Sequence, residues 1–302
     1  MPFEKVNKIV YKSTGRELVV DNVIIEQPLQ IRLFWQDDAL GQCSQVLTIT
    51  MRTPGQDKAL IIGLLLSEGV IHTIKNIESL SFEKNEKGSN ELSRENLWEV
   101  TLSKGVVPKI SSLERYQVTY SSCGLCGATS LKALELKNPD KLCQKKSWLV
   151  IDDIYQMPDK MKVRQSDFIE TGGAHGAALF NKNGILIDLQ EDIGRHNAVD
   201  KLLGNLLLQD KAMSTDLSLL NNRSQLVLLV SSRVSFEIVQ KAIMAGISVL
   251  IAIGAPSDLA IKAAKRFDLT LIGFTSKHSF NLYYGEWRLA TTMFANNPSL
   301  EE

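Results

Sequence analysis

Three apolar runs separated by two helical patterns constrain this chain more than any other feature. Residues 225–230, 248–253 and 269–274 are almost continuously apolar, and amphipathic helical patterns occupy 236–245 and 259–267 between them. A run with no polar face has no side for solvent. Strands of that kind belong in a parallel sheet covered on both faces by its crossover helices. Upstream, Leu149-Val150-Ile151 leads into a helical pattern over 152–162. Residues 176–180 and 185–189 form a hairpin through Asn181-Lys182-Asn183-Gly184, where Asn-Gly suits the positive φ of a tight turn. A further helix spans 195–209. This half reads as a layered α/β sandwich.

The first part of the chain has a different texture. Residues 18–51 alternate apolar and polar in short runs, as half-buried strands do. Arg52-Thr53-Pro54-Gly55-Gln56-Asp57 opens a helix to Glu68, the polar stretch 83–95 reads as an exposed hairpin tip, and 98–102 returns as a strand. The expected organisation is a small α+β domain over 1–115 followed by an α/β domain over 116–302. Residues 210–223 are read as a surface excursion.

Charge and cysteine content exclude several classes. With 34 basic and 34 acidic side chains the net charge is zero, which argues against a general nucleic-acid surface. Four cysteines in 302 residues do not make a disulfide framework. The start, Met1-Pro2-Phe3-Glu4-Lys5, lacks a signal-peptide pattern, and no apolar stretch approaches the roughly 18 residues of a spanning helix. A cytoplasmic protein with reduced thiols and no membrane partner is expected.

Chemistry concentrates in four places. In Ser122-Cys123-Gly124-Leu125-Cys126-Gly127, two thiols fall in a strand-to-helix turn, where helix N–H groups favour a thiolate. This pair fits redox or sulfur transfer, half of a metal site, or structural cysteines; Cys43 and Cys143 stand alone and supply no second pair. Glu170-Thr171-Gly172-Gly173-Ala174-His175 is a glycine-rich loop entering a strand, and His175 serves either as an acid/base or as a strand-edge cap. Glu191-Asp192-Ile193-Gly194-Arg195-His196-Asn197 starts a helix on which His196, Val199, Leu203 and Leu206 share one face. His196 is thus either a satisfied core histidine or a functional group at a cleft floor. Ser231-Ser232-Arg233 and Ala255-Pro256-Ser257 each follow a buried strand and precede a helix, where anion binding and ordinary N-capping can coexist.

Taken in order, these segments together with Arg52-Thr53-Pro54-Gly55 resemble the formate dehydrogenase accessory sulfurtransferase family (FdhD), with matching blocks from residue 52 to about 285. The resemblance implies a cytidine deaminase-like layered sandwich, a homodimer, and a sulfurtransferase with a cysteine persulfide intermediate. Sulfur would pass from a cysteine desulfurase to the molybdenum (or tungsten) of the bis-molybdopterin guanine dinucleotide cofactor that formate dehydrogenase needs. Cys123 maps to the persulfide carrier and Cys126 to its helper, with His175 and His196 handling protons. The cofactor-binding segment maps to Phe274, Thr275, Ser276, Lys277, His278 and Ser279, supported by Ser232 and Arg233. Many relatives carry arginine where this chain has Ser276, so Lys277 is expected to supply the charge. A zinc deaminase needs His-x-Glu and Pro-Cys-x-x-Cys. This sequence has no His-x-Glu and has Ser122 in the proline position, so no zinc and no base deamination are expected. The rival readings are a non-covalent cofactor chaperone and a zinc-bound nucleotide hydrolase.

Overall fold

The computed structural model describes residues 2–82, 96–108, 127–212 and 223–290. The polar tip at 83–95, both cysteines of the Cys-x-x-Cys turn and most of the excursion at 210–223 lie outside the described residues. In chain order the strands begin with β1 (Phe3–Lys12), β2 (Gly15–Ile24), β3 (Gln27–Asp37), β4 (Gly41–Arg52), β5 (Ile77–Phe82) and β6 (Leu97–Leu102). They continue with β7 (Leu149–Val150), β8 (His175–Phe180), β9 (Leu186–Asp192), β10 (Val227–Val230), β11 (Val249–Ala252), β12 (Thr270–Gly273), β13 (Asn281–Tyr284) and β14 (Leu289–Ala290). The α-helices are α1 (Asp57–Ser67), α2 (Gly127–Leu136), α3 (Ile151–Lys162), α4 (Ser166–Thr171), α5 (Arg195–Ala212), α6 (Phe236–Met244) and α7 (Asp258–Arg266).

Packing divides the chain into two compact units that interleave along the sequence. One comprises residues 1–138, 165–176 and 190–217; the other comprises 139–164, 177–189 and 218–302. A single boundary near residue 115 therefore does not describe the packing. Segments 165–176 and 190–217 join the N-terminal unit because α5 is bound to α1 and Glu191 is bound to the start of α4, as described below.

In the first unit, β1 and β2 form a ten-residue antiparallel hairpin that local alternation revealed only in its second strand. Lys8–Asp21 and Lys12–Glu17 ion pairs, both 2.7 Å, lie exposed on it and add little stability. The other sheet has the order β4-β3-β6-β5. Leu29, Ile31, Leu33 and Trp35 of β3 alternate inward beside Trp98, Val100 and Leu102 of β6, giving the sheet one apolar face.

Helix α1 is buried from Ala59 to Ser67, so it has no solvent face. Its partner α5 approaches backbone to backbone. A Cβ on Gly63 would overlap the carbonyl oxygen of Asp200, and one on Gly204 would overlap the carbonyl oxygen of Ala59. Across this contact the Ser67 hydroxyl donates to Asp200 Oδ1 at 2.9 Å and to the Gly63 carbonyl at 2.8 Å.

The second unit holds a six-stranded sheet in the order β13-β12-β11-β10-β8-β9. As the apolar runs require, β10, β11 and β12 are parallel, while β8 and β13 flank them antiparallel. Rows led by Phe180-Val227-Val249 and Ala178-Leu229-Ile251-Ile272 face Ile154, Met157 and Met161 of α3. The alternate row, Leu179-Leu228-Leu250-Leu271, is also buried, and α6 and α7 pack on β11 and β12. Gly184 turns the β8–β9 hairpin at φ +65°, as the Asn-Gly pattern predicts. Arg288 is completely buried; Nε and Nη2 donate to the Cys143 carbonyl at 3.0 and 2.6 Å, and Nη1 donates to Thr270 Oγ1 at 2.9 Å.

Because the α1–α5 contact leaves no room for a methyl group on either backbone, Gly204→Ala should destabilise the protein by about 1–3 kcal/mol or more. Thermal or urea unfolding checks this; an unchanged midpoint would show that the helices can separate freely.

Candidate functional site

The blocks around Arg52 and Asp192 meet in the first unit, and their first job is structural. Asp192 is fully buried, and four donors surround its carboxylate. Oδ2 accepts from the Thr53 amide at 3.1 Å and pairs with Lys201 Nζ at 2.7 Å. Oδ1 accepts from the Gly194 amide at 2.8 Å and from Asn197 Nδ2 at 3.2 Å. Lys201, equally buried, donates further to the Thr53 carbonyl at 2.9 Å and the Glu191 carbonyl at 3.3 Å. Asn197 Nδ2 also reaches the Met51 carbonyl at 2.7 Å, and Thr53 Oγ1 accepts from the Ile193 amide at 3.0 Å. The end of β4 is thereby locked to a corner more than a hundred residues later, made of the end of β9 and the first two turns of α5. Arg52 supports the same corner through a two-pronged pair with Asp57, 2.9 Å on each arm.

His175 begins β8 and is half-buried in this unit. Burial, then the charge of Arg195, hold its imidazole below the usual 6.5, against a smaller opposing pull from Asp192. Near the end of β9, Glu191 accepts the Asp167 and Phe168 amides at 2.9 and 3.0 Å and so ties off the start of α4. Burial raises the Glu191 and Asp167 carboxyls above their ordinary values. His196 is half-buried above a stripe of buried Val199, Leu203 and Leu206, as its helical spacing predicts. Sequence reasoning passed over Asp192, Lys201 and Arg195 as individual actors. A buried Asp and Lys inside one helix-start motif is the signal that could have found the first two.

The nucleotide-binding residues expected from the resemblance lie in the second unit, at the carboxyl ends of β10, β11 and β12. Adjacent parallel strands bring Ser232-Arg233, Gly254 to Ser257, and Phe274 to Ser279 to one rim. The turns are stitched together: the Gly254 amide donates to the Ser232 carbonyl (3.2 Å), Val234 to Ala255 (3.0 Å), Ser257 to Val234 (2.9 Å) and Phe274 to Gly254 (3.1 Å). A Cβ on Gly254 would sit 2.9 Å from the Arg233 nitrogen, so the close approach requires glycine there.

Hydroxyl groups on this rim divide by role. Ser257 caps α7, accepting the Ala260 amide at 3.2 Å, and Ser232 Oγ donates to the Arg233 carbonyl at 2.9 Å. Ser276 braces its own loop, accepting the Ser279 amide at 3.2 Å and bonding the Ser279 carbonyl at 3.0 Å. Thr275 differs from these. It is 3 % exposed, and its Oγ1 is buried without a hydrogen-bond partner. Next to it Phe274 is half-exposed at φ +53°, a conformation that strains a bulky residue. Arg233, Lys277 and His278 stand exposed around it. This rim offers cations, an aromatic face and a free buried hydroxyl, which is what an anionic heterocyclic ligand requires. Among the described residues no group of three or more His, Cys, Asp or Glu could hold a metal ion, and no helix is long and apolar enough to cross a membrane.

Removing one partner of the buried Asp192–Lys201 pair leaves an uncompensated charge. Lys201→Met should therefore cost about 3–5 kcal/mol in urea unfolding. The double variant Lys201→Met/Asp192→Asn should cost less than the sum of the two single changes. Separately, the unfolded chain holds a proton on His175 at a pH where the folded chain does not. Its contribution to stability is intact above about 6.5 and is lost as pH falls through the lower folded value. His175→Asn should flatten that part of the stability–pH curve, and imidazole NMR should show the midpoint below 6.5.

Comparison with known proteins places the chain. The FdhD/NarQ family profile matches residues 24–290. The sulfur carrier protein FdhD of Streptomyces avermitilis is 42% identical over 281 residues, covering 89% of both chains. That of Sulfurisphaera tokodaii is 40% identical, covering 87% of this chain and 89% of its own. That of Mycobacterium tuberculosis is 38% identical, covering 89% and 94%. A solved structure, described as a candidate formate dehydrogenase accessory protein from Desulfotalea psychrophila, superposes with a TM-score of 0.67. It covers 96% of this chain and all of its own at 21% identity, a likeness of fold. With its mixed α/β fold and a family match over most of its length, this chain belongs to the FdhD/NarQ family.

Proposed function

We propose that this protein is a sulfur carrier that delivers persulfide sulfur to the molybdenum (or tungsten) of a bis-molybdopterin guanine dinucleotide cofactor, a substrate destined for formate dehydrogenase. The observation that carries the reading is the Cys123/Cys126 pair inside a span matched by relatives named sulfur carrier proteins. The Cys123 thiolate attacks the terminal sulfur of a desulfurase persulfide; the donor's S–S bond breaks and its cysteine leaves as a thiolate. Cys123 then holds one extra sulfur. Attack by the Cys126 thiolate on the Cys123 sulfur forms a disulfide and releases the outer sulfur as hydrosulfide for the metal. The two thiolates supply the two electrons, and a cellular dithiol restores the pair. His175 and His196 are assigned to proton handling in these steps.

The rim of the second unit suits the nucleotide end of the substrate. Phe274 offers a face for a base, Thr275 Oγ1 a partnerless hydroxyl, and Arg233 and Lys277 charge for phosphates. With Ser276 engaged in its own loop, Lys277 acts as a point charge where an arginine would be a planar fork. The proposal retains the cytidine deaminase-like layering for the second unit, supported by its mixed sheet with α3 packed on one face, and it retains the homodimer. A non-covalent chaperone, holding the cofactor without a covalent step, is the second reading.

Mass spectrometry after incubation with a cysteine desulfurase and cysteine should find one added sulfur on Cys123 and none in Cys123→Ala. Unimpaired formate dehydrogenase maturation by Cys123→Ala would favour the chaperone. Glycine adopts positive φ freely, so Phe274→Gly should fold at least as stably as the parent while weakening guanosine diphosphate binding about tenfold or more. Calorimetry tests the affinity. Unchanged binding would remove Phe274 from the site.

A further inference from the structure

The β1–β2 hairpin turns through a two-residue loop, Ser13-Thr14, between paired Lys12 and Gly15. Residues flanking such a loop exchange hydrogen bonds, and bonded pairs then alternate with unbonded pairs along an antiparallel ladder. The even-numbered residues of β1 therefore turn their N–H and C=O groups towards β2. The Ile25 amide, donating to the Pro2 carbonyl at 2.8 Å, continues that alternation past the far end of the ladder. The backbone groups of Phe3, Lys5, Asn7, Ile9 and Tyr11 point the other way. Among the described residues no further strand pairs with that edge, and no backbone hydrogen bond reaches it.

Apolar side chains border the open edge: Val6 is 44% exposed and Ile9 52%. At the base of the hairpin, Asn22 Nδ2 donates to Glu170 Oε2 of α4 at 3.1 Å, and a Cβ on Gly173 would lie 2.9 Å from Ile24 Cγ2. Both contacts are made by β2. A two-stranded ribbon is marginal in water, and an unpaired edge takes up another strand unless its charges forbid it. Lys5, Lys8 and Lys12 are charges of that guarding kind, so they decide what can pair here.

A second copy of β1 is the occupant those charges fit. Two antiparallel copies related by a two-fold axis must centre on one residue facing its own counterpart, because the alternation has to match. Centred on Lys5 or Lys8, the pairing sets lysine against lysine. Centred on Asn7 or Ile9, it brings no opposite charges together. Centred on Val6, it sets Glu4 of each copy opposite Lys8 of the other, with no like charges facing. Val6 then meets Val6, and all of these pairs fall at unbonded positions, where opposing side chains are closest. Lys8 already holds Asp21 at 2.7 Å, so it links that carboxylate to Glu4 of the other copy.

We propose that the β1 edges of two copies pair antiparallel about Val6, joining the hairpins into a four-stranded sheet in the order β2-β1-β1-β2. The inference rests on the homodimer of the proposed function and deepens it by naming the surface and its register. Using the same edge on both copies closes the assembly at two.

Sedimentation equilibrium of the full chain measures the dimer dissociation constant, with circular dichroism to check folding. Asn7→Pro removes an N–H that points away from β2, so the hairpin should persist while dimerisation weakens at least tenfold. Glu4→Lys and Lys8→Glu each set like charges face to face, and each should weaken self-association about tenfold. Mixing these two variants restores both Glu–Lys pairs. The mixed dimer should therefore form about tenfold more tightly than either variant alone. Wild-type dimer affinity in both Asn7→Pro and Glu4→Lys overturns this surface while leaving the homodimer standing. A wild-type chain that stays monomeric overturns both. If Asn7→Pro fails to fold, a mixture that associates no better than its components overturns the proposal equally. Sulfur loading on Cys123, measured on the same samples, reports separately on the carrier reading.

Discussion

A buried carboxylate is tolerable only when its lone pairs are filled, and Asp192 fills all of them from chain segments far apart in sequence. An amide from beyond β4, an amide and a carboxamide from the start of α5, and the Lys201 ammonium converge on it. No one of these can shift without stranding another. The first unit is therefore organised around a polar knot, with apolar packing on either side. The same knot explains why residues 190–217 pack with the N-terminal elements, although they follow a strand whose earlier part belongs to the other unit.

Close backbone contact extends this constraint. Helix α1 has no exposed side from Ala59 to Ser67, and α5 presses against it at Gly63 and Gly204. Helices this close leave no room for a side chain at the two glycines, and the Ser67–Asp200 hydrogen bond is a polar link across the contact. The second unit relies on different physics. There, rows of branched and aromatic side chains fill both faces of the sheet, and fully buried Arg288 ties residues 143 and 270 together through three hydrogen bonds.

Against these well-satisfied frameworks stand a few exceptions near the rim and at the start of α5. Phe274 adopts a strained positive φ, Thr275 keeps a buried hydroxyl without a partner, and Arg195 keeps a buried Nε without one. Each costs stability in the folded chain. The serines of the same rim behave otherwise. Ser232, Ser257 and Ser276 spend their hydroxyls on their own turns, so backbone shape is what they supply to the rim.

The parallel β10-β11-β12 core, its two crossover helices, the β8–β9 hairpin and the helix starts at Asp57 and Arg195 were legible from the chain alone. The reason is physical. Unbroken apolar runs, 3.6-residue periodicity and an Asn-Gly turn are local patterns that act through the backbone nearby. The same holds for the motif blocks that identify the family. The strand Phe3–Lys12 was not legible, because a hairpin exposed along most of its length carries little hydrophobic alternation. Only the folded structure decided that Asp192 and Lys201 are a mutually neutralising pair, that the units interleave, and that Arg195 and Thr275 hold donors without acceptors. The interleaving belongs to contacts between segments more than a hundred residues apart, the neutral pair to its burial beneath them, and the unpaired donors to the lack of a contact; no local pattern encodes these.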